Sequence, residues 1–172
     1  MRTAGHGPCV PPFMPYRRFQ PADFAPLYAI EELCFEPPFR FSRAFMRRLT
    51  SSPRCTTWIA EDDGTMAGFA IVDLKASSDP PAAYIQTIEV TPTERGRGIG
   101  AELLRRIEAS AREAGAHSIW LHVDTENRTA IRLYERSGYK GQGREEHFYA
   151  RHRAALIYAK PLAGPGKSLS VP

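Results

Sequence analysis

The run Arg95-Gly96-Arg97-Gly98-Ile99-Gly100 restricts the fold of this chain more than any other segment. It lies between an extended-type run, Ala82–Val90 (AAYIQTIEV), and an amphipathic run at 101–114. Glycine allows a sharp turn and lets backbone approach a ligand closely. The free N–H groups at the start of the following helix, with the helix dipole, suit a phosphate or pyrophosphate. Arg95 and Arg97 would add charge-assisted hydrogen bonds. No Gly-Lys-Ser/Thr follows, so the run is not a P-loop, and its third glycine is misplaced for a dinucleotide fingerprint. A glycine-rich strand-to-helix turn can also bind nothing, and the loop alone does not decide.

Periodicity places the rest of the chain around this turn. Phe24, Leu27, Ile30, Leu33 and Cys34 recur at helical spacing, and Pro37-Pro38 stop that helix. A short helix from Ser42 carries Phe45, Met46 and Leu49 on one face. Asp62-Asp63-Gly64-Thr65 between TTWIAE and MAGFAIVDL predicts a hairpin. The helix at 101–114 has the stripe Leu103, Leu104, Ile107, Ala111 and Ala114, with Gly115 as its stop. A strand at 117–123 and a helix at 127–137 come next. Two last strands, 139–144 and 154–160, flank a charged aromatic connection at 145–153. The order αα, βββ, α, β, α, ββ predicts a mixed α/β layer. The Gly- and Pro-rich ends, 1–15 and 163–172, read as a flexible arm and tail around a domain at 16–162.

With 172 residues, 42% of them apolar, the chain suits one domain with a real core. No apolar run approaches the ~20 residues of a membrane span. A net charge of +4 is too mild to indicate nucleic acid. Its distribution says more: +4 over residues 1–60, −5 over 61–90 and +5 over 91–172, so an anionic ligand is expected on the last block. Cys9, Cys34 and Cys55 are odd in number and form no CxxC, which argues against disulfides and a metal site. The start has no apolar stretch of signal-peptide type, making the cytoplasm the expected location.

Two segments together carry a family resemblance. The run V-x-P-x-x-R-G-R-G-I-G-A-x-L-L, Val90 to Leu104, resembles the acetyl-CoA signature of the GCN5-related N-acetyltransferase (GNAT) superfamily. Arg95, Gly98 and Gly100 match its pattern Gln/Arg-x-x-Gly-x-Gly/Ala. Asn127-x-x-Ala130-x-x-Leu133-Tyr134-x-x-x-Gly138-Tyr139 is similar to the family's second half. The resemblance covers 82–160 and implies a single GNAT-like α/β domain, a mixed, mostly antiparallel sheet flanked by helices. Finer cues resemble the ribosomal-protein-alanine N-acetyltransferase (RimI-like) branch: Ile30-Glu31 before Cys34-Phe35, Trp120-Leu121-x-Val123, and Phe148-Tyr149.

The resemblance implies acetyl-CoA as co-substrate and no metal. Arg95, Gly96, Arg97, Gly98, Ile99, Gly100 and Ala101 would hold its pyrophosphate. Backbone groups of Ile88 and Val90 would pair with the pantetheine arm, and Asn127 would contact it. Tyr134 matches the tyrosine that protonates the departing thiolate. Many members carry a basic Glu where this chain has Gln86, whose amide cannot take a proton. Glu89, by strand alternation, lies opposite Gln86, Ile88 and Val90. In RimI-like enzymes the base is placed on the next strand, where His122 stands; its ordinary pKa near 6.5 suits the task, and a satisfied half-buried histidine is the equal alternative. Glu31 is a further catalytic candidate for the base, read foremost as a substrate amine anchor or a water-relay partner. Phe148 and Tyr149 would wall a slot for a peptide N-terminus, while Arg151 and Arg153 read as solvated charges.

A peptide α-amine has a pKa near 7.7–8.0 against ≈ 10.4 for lysine, so about a tenth is neutral near pH 7, an advantage of roughly 3–4 kcal/mol. A site with only a histidine suits such an amine. The expected activity is therefore acetyl transfer to a protein or peptide N-terminal α-amine in a ternary complex. The alternatives are a small-molecule amine (polyamine, aminoglycoside or amino acid) and a non-catalytic acyl-CoA sensor. No nucleic acid or membrane partner is expected, and a homodimer is the expected assembly if the chain self-associates.

Overall fold

Seven strands join in one sheet of order β1-β2-β3-β4-β5-β7-β6. They are β1 (Tyr16–Arg18), β2 (Cys55–Asp62), β3 (Thr65–Ala76), β4 (Ala82–Val90), β5 (Ser118–Asp124), β6 (Lys140–Ala150) and β7 (Arg153–Pro161). Only β4 and β5 pair in parallel, so the sheet is mixed and mostly antiparallel, as expected. The computed structural model describes residues 14–76, 79–150 and 152–162. The expected tail, Arg151, Cys9 and all of the expected arm except Met14 and Pro15 lie outside these residues.

Alternation along β3 divides the core between the two faces. Phe69 and Ile71 pack with Phe24, Leu27, Ile30, Met46 and Leu49 from α1 (Phe24–Cys34) and α2 (Arg43–Ser51). Ala70 and Val72 pack with Leu103, Leu104 and Ile107 from α3 (Ile99–Glu113), and with Tyr134 from α4 (Arg128–Arg136). Ser42 caps α2, its Oγ accepting from Phe45 N at 3.2 Å. The helix expected at 101–114 begins at Ile99, because Gly98 at φ 81° ends the turn one step earlier. β1 is absent from the sequence reading; three residues are too few to show a period. The connection expected at 145–153 is instead mostly strand, since β6 continues to Ala150 with a register shift between Glu145 and Ala150.

Two irregularities in β4 position the site. Ile71 pairs with Thr87 but Val72 pairs with Ile85, which leaves Gln86 as the extra residue of a bulge. A bulge bends its strand and reverses the facing of the residues beyond it. Ala83 and Ile85 accordingly share the α3 core with Ile88 and Val90, an odd pair joined by an even pair. Pairing of β4 with β5 is confined to Ala82–Tyr84 against Ser118–Trp120. Beyond Tyr84 the strands part, and the β5-side edge of β4 opens.

Gly68 permits the close approach of β3 to the end of β4. A Cβ there would stand 2.4 Å from the Glu89 carbonyl oxygen, a backbone atom that cannot turn aside. Gly68→Ala is expected to cost about 1–3 kcal/mol of stability. An unchanged urea midpoint would show that the two strands yield.

Candidate active site

The gap between β4 and β5 is a cleft of about 410 Å³. Ile85, Gln86, Thr87 and Ile88 line it from β4, His122 and Val123 from β5, and Asn127 and Tyr134 from α4. Glu31, Phe35 and Phe39 close it from α1 and the segment between α1 and α2.

The glycine run follows the end of β4 and opens α3, offering backbone N–H groups of the kind that suit an anion. Gly96 (φ 78°) and Gly98 (φ 81°) are left-handed, and a Cβ on either would meet nothing within 4 Å. No side chain caps α3 at Gly98, so the first N–H groups of the helix lack an intrahelical or side-chain partner. Both arginines depart from the expectation that they face a phosphate. Arg95 Nε donates to the Val90 carbonyl at 3.1 Å and its NH2 approaches Cys34 Sγ. Arg97 is shared between Asp62, at 2.6 Å, and Glu94. Of the two β4 residues assigned to the pantetheine arm, Ile88 lines the cleft, whereas the Val90 carbonyl is occupied by Arg95. Asn127 caps α4, accepting from Ala130 N at 3.1 Å, which fixes it at the cleft wall.

Away from that turn, aromatic hydroxyls gather around a histidine. Tyr134 is buried and packs edge-on to Tyr139. Burial, with the nearby Tyr149 and Tyr84, pushes its phenol well above the usual tyrosine value. His122 Nδ1 lies 3.1 Å from the Tyr84 hydroxyl, and Nε2 lies 2.9 Å from a Glu145 carboxylate oxygen. Burial lowers the His122 pKa and Glu145 opposes it, so the net direction leaves the ring neutral at pH 7. Burial pushes Tyr84 up to about 12.

The expected aromatic pair divides its roles. Tyr149 stands in the cleft wall against Phe39, ring centroids 5.1 Å apart, and its hydroxyl donates to the His122 carbonyl. Phe148 is not a wall; it stacks on the His122 ring at 4.0 Å and 13°. Arg153 is not a free solvated charge either. It forks onto Asp124 and bridges Glu126 at 2.7 Å while lying over Phe39.

Glu31 differs most from expectation. It is fully buried, and its Oε1 accepts from Phe41 N at 2.6 Å, tying down the segment between α1 and α2. Glu89, also buried, lies close enough for its carboxyl to be acted on by that of Glu31. The Oε2 atom of each finds no donor. Two carboxylates can only accept, so one must carry a proton. Burial and the neighbouring Glu31 push the Glu89 carboxyl far upward, which places the proton there. Glu31 is therefore half of a carboxyl pair rather than a lone anchor. Sequence reasoning does not pick out Tyr84, Glu89, Glu145 or Phe39 as site residues. Among the described residues no group of three His, Cys, Asp or Glu side chains could hold a metal ion, and no helix is long and apolar enough to cross a membrane.

A raised Glu89 pKa means that the folded chain holds a proton the unfolded chain has released. The associated stability is full below the ordinary carboxylate range and is lost as pH rises toward the raised value. Glu89→Gln, whose amide donates to Glu31 at any pH, should gain stability relative to wild type between about pH 5 and pH 9. Parallel melting-temperature curves for the two proteins would mean that no such proton is held.

Known proteins resemble the chain in sequence and in fold. The acetyltransferase (GNAT) family matches residues 24–139. Streptothricin acetyltransferase of Streptomyces lavendulae is 41% identical over 87 residues, 51% of this chain; the match spans 45% of that protein, less than half its length. The N-alpha-acetyltransferase RimI of Mycobacterium tuberculosis is 33% identical over 114 residues, 66% of each chain. The solved ribosomal-protein-S18-alanine N-acetyltransferase of Escherichia coli shares the fold, with a TM-score of 0.77 at 24% identity over 92% of this chain and 100% of that one. The RimI likeness expected from the sequence is thus met in both a relative and a fold neighbour, and the chain belongs to the GNAT acetyltransferase family.

Proposed function

We propose that the chain transfers an acetyl group from acetyl-CoA to a primary amine, with a protein or peptide N-terminal α-amine as the acceptor class. One observation carries the reading: the open edge of β4 runs along a cleft lined by Tyr134 and His122, with Tyr84 on the His122 ring, and the glycine turn with the uncapped N-terminus of α3 follows at the end of the same strand. The open edge of β4 beyond Tyr84 suits an extended amide-bearing arm such as pantetheine, added as a further strand. The N–H groups from Gly96 to Ala101 suit its pyrophosphate.

The neutral amine attacks the thioester carbonyl carbon, the C–N bond forms and the C–S bond breaks. Tyr134 faces the departing sulfur. Its phenol is held far above the ordinary thiol pKa of ≈ 8.5, so complete proton transfer from it runs uphill. Its contribution is a hydrogen bond donated to the developing thiolate from a buried phenol. The proton of the amine leaves through the Tyr84 hydroxyl to Nδ1 of neutral His122. Gln86 lines the cleft and takes no proton.

The α-amine reading is supported by the histidine base, by the aromatic wall that Phe39 and Tyr149 form together, and by the N-alpha-acetyltransferase among the relatives. A small-molecule amine is the second reading, supported by the streptothricin acetyltransferase relative. A thiol-release assay across peptides of varied N-terminal residue and a panel of small amines separates the two. Coenzyme A binding without thiol release against any amine would leave a sensor.

Tyr134→Phe should lower kcat by about 100-fold with acetyl-CoA affinity nearly unchanged. Equal turnover in the variant removes Tyr134 from the mechanism. His122→Ala should abolish the acidic limb of the pH–rate profile. A profile identical to wild type makes His122 structural.

A further inference from the structure

We infer that Glu145 is a positioning residue for the base: its carboxylate holds His122 as the Nε2–H tautomer, keeping the Nδ1 lone pair on the Tyr84 hydroxyl. The inference rests on the acetyl-transfer reading only for its catalytic consequence. The geometry stands by itself.

A neutral imidazole has one N–H and one lone pair, and a carboxylate accepts only. Nε2 is 2.9 Å from Glu145 Oε2, so the proton belongs on Nε2. In the other tautomer a lone pair would face a negative oxygen. Nδ1 is then the acceptor for the Tyr84 hydroxyl at 3.1 Å, and the three groups form one chain, Tyr84–His122–Glu145. The ring cannot easily rotate out of it. Phe148 covers one face at 4.0 Å, the Trp120 ring meets it edge-on at 5.4 Å, and the Tyr149 hydroxyl holds the His122 carbonyl.

The titratable groups around the ring are Tyr84 from β4, Glu145 and Tyr149 from β6, and Tyr134 from α4 beyond Tyr84. Among the described residues, Glu145 supplies the charge that acts on the imidazole. Its side chain is 53% exposed and that of His122 only 9%, so an outer carboxylate steadies an inner base.

In the reaction the amine gives its proton to the Tyr84 oxygen as the Tyr84 proton passes to Nδ1. The ring becomes imidazolium with Nε2–H still on Glu145, and its positive charge balances the thiolate that departs. Glu145 touches no reacting atom; it sets which nitrogen can receive the proton and stabilises the cation that results.

The test uses the full chain labelled with 15N-histidine, with the His122 signals assigned by their loss in His122→Gln. Above its titration midpoint, wild-type His122 should show the Nε2–H tautomer in long-range 1H–15N correlation spectra. Glu145→Ala should give a tautomer mixture. Glu145→Gln still accepts through its amide oxygen, so it should keep the tautomer, lower the midpoint and move the acidic limb of the kcat/KM profile to lower pH. In Glu145→Gln kcat should fall roughly 10- to 100-fold with the KM for acetyl-CoA unchanged. An unaltered tautomer and midpoint in folded Glu145→Ala overturns the inference. A changed tautomer in a protein that acetylates no amine upholds the role of Glu145 and removes the acetyl-transfer reading.

Discussion

The candidate site depends on the loss of hydrogen bonding between β4 and β5 after Tyr84 and Trp120. A parallel pair that stayed together would fill the cleft with its own ladder and leave no open edge on β4. The bulge at Gln86 bends β4 at the point of parting, and the bend brings Ile88 to the cleft. The same reversal puts Ile88 and Val90 on the α3 face, which leaves Glu89 on the face of Glu31. One inserted residue therefore sets which face each residue at this end of β4 takes.

That carboxyl pair connects the site to the first helix. Glu31 reaches from α1 to Phe41 N and to Glu89, so the segment carrying Phe35 and Phe39 is held from inside the core. A shared proton makes the arrangement tolerable, because two ionised carboxylates at this depth would repel and lack solvation. One wall of the cleft is thus fixed by a buried polar contact, while the glycine turn beyond β4 is formed by backbone alone.

These two parts differ in how much of them can be read from the chain. The glycine run, α3 and α4 are legible in local spacing, and the resemblance between 82 and 160 rests on those residues. Tyr134 and His122 are legible in the same way. Glu145 is not, because its partner is 23 positions away on another strand and its own segment reads as a connection. Simple alternation sets Glu89 aside, and it does place that residue opposite Ile88 and Val90. Nothing local in AAYIQTIEV, however, reveals the bulge or the helix α1 that packs behind it. Charge alone aims Arg95 and Arg97 at a phosphate, yet the acceptors that occupy them, Val90, Asp62 and Glu94, are set by tertiary and turn geometry.

The ion pairs of Arg97 also bear on which anions the glycine turn can discriminate. A guanidinium already matched by Asp62 and Glu94 offers little net attraction to a small free anion, which would have to displace both while contributing one charge group. A long ligand of the kind proposed would differ, since it would collect helix N–H bonds and a strand-like ladder along β4 at once. On that reading selectivity in this turn would come from length: a phosphate attached to an extended arm would be favoured over one that arrives alone.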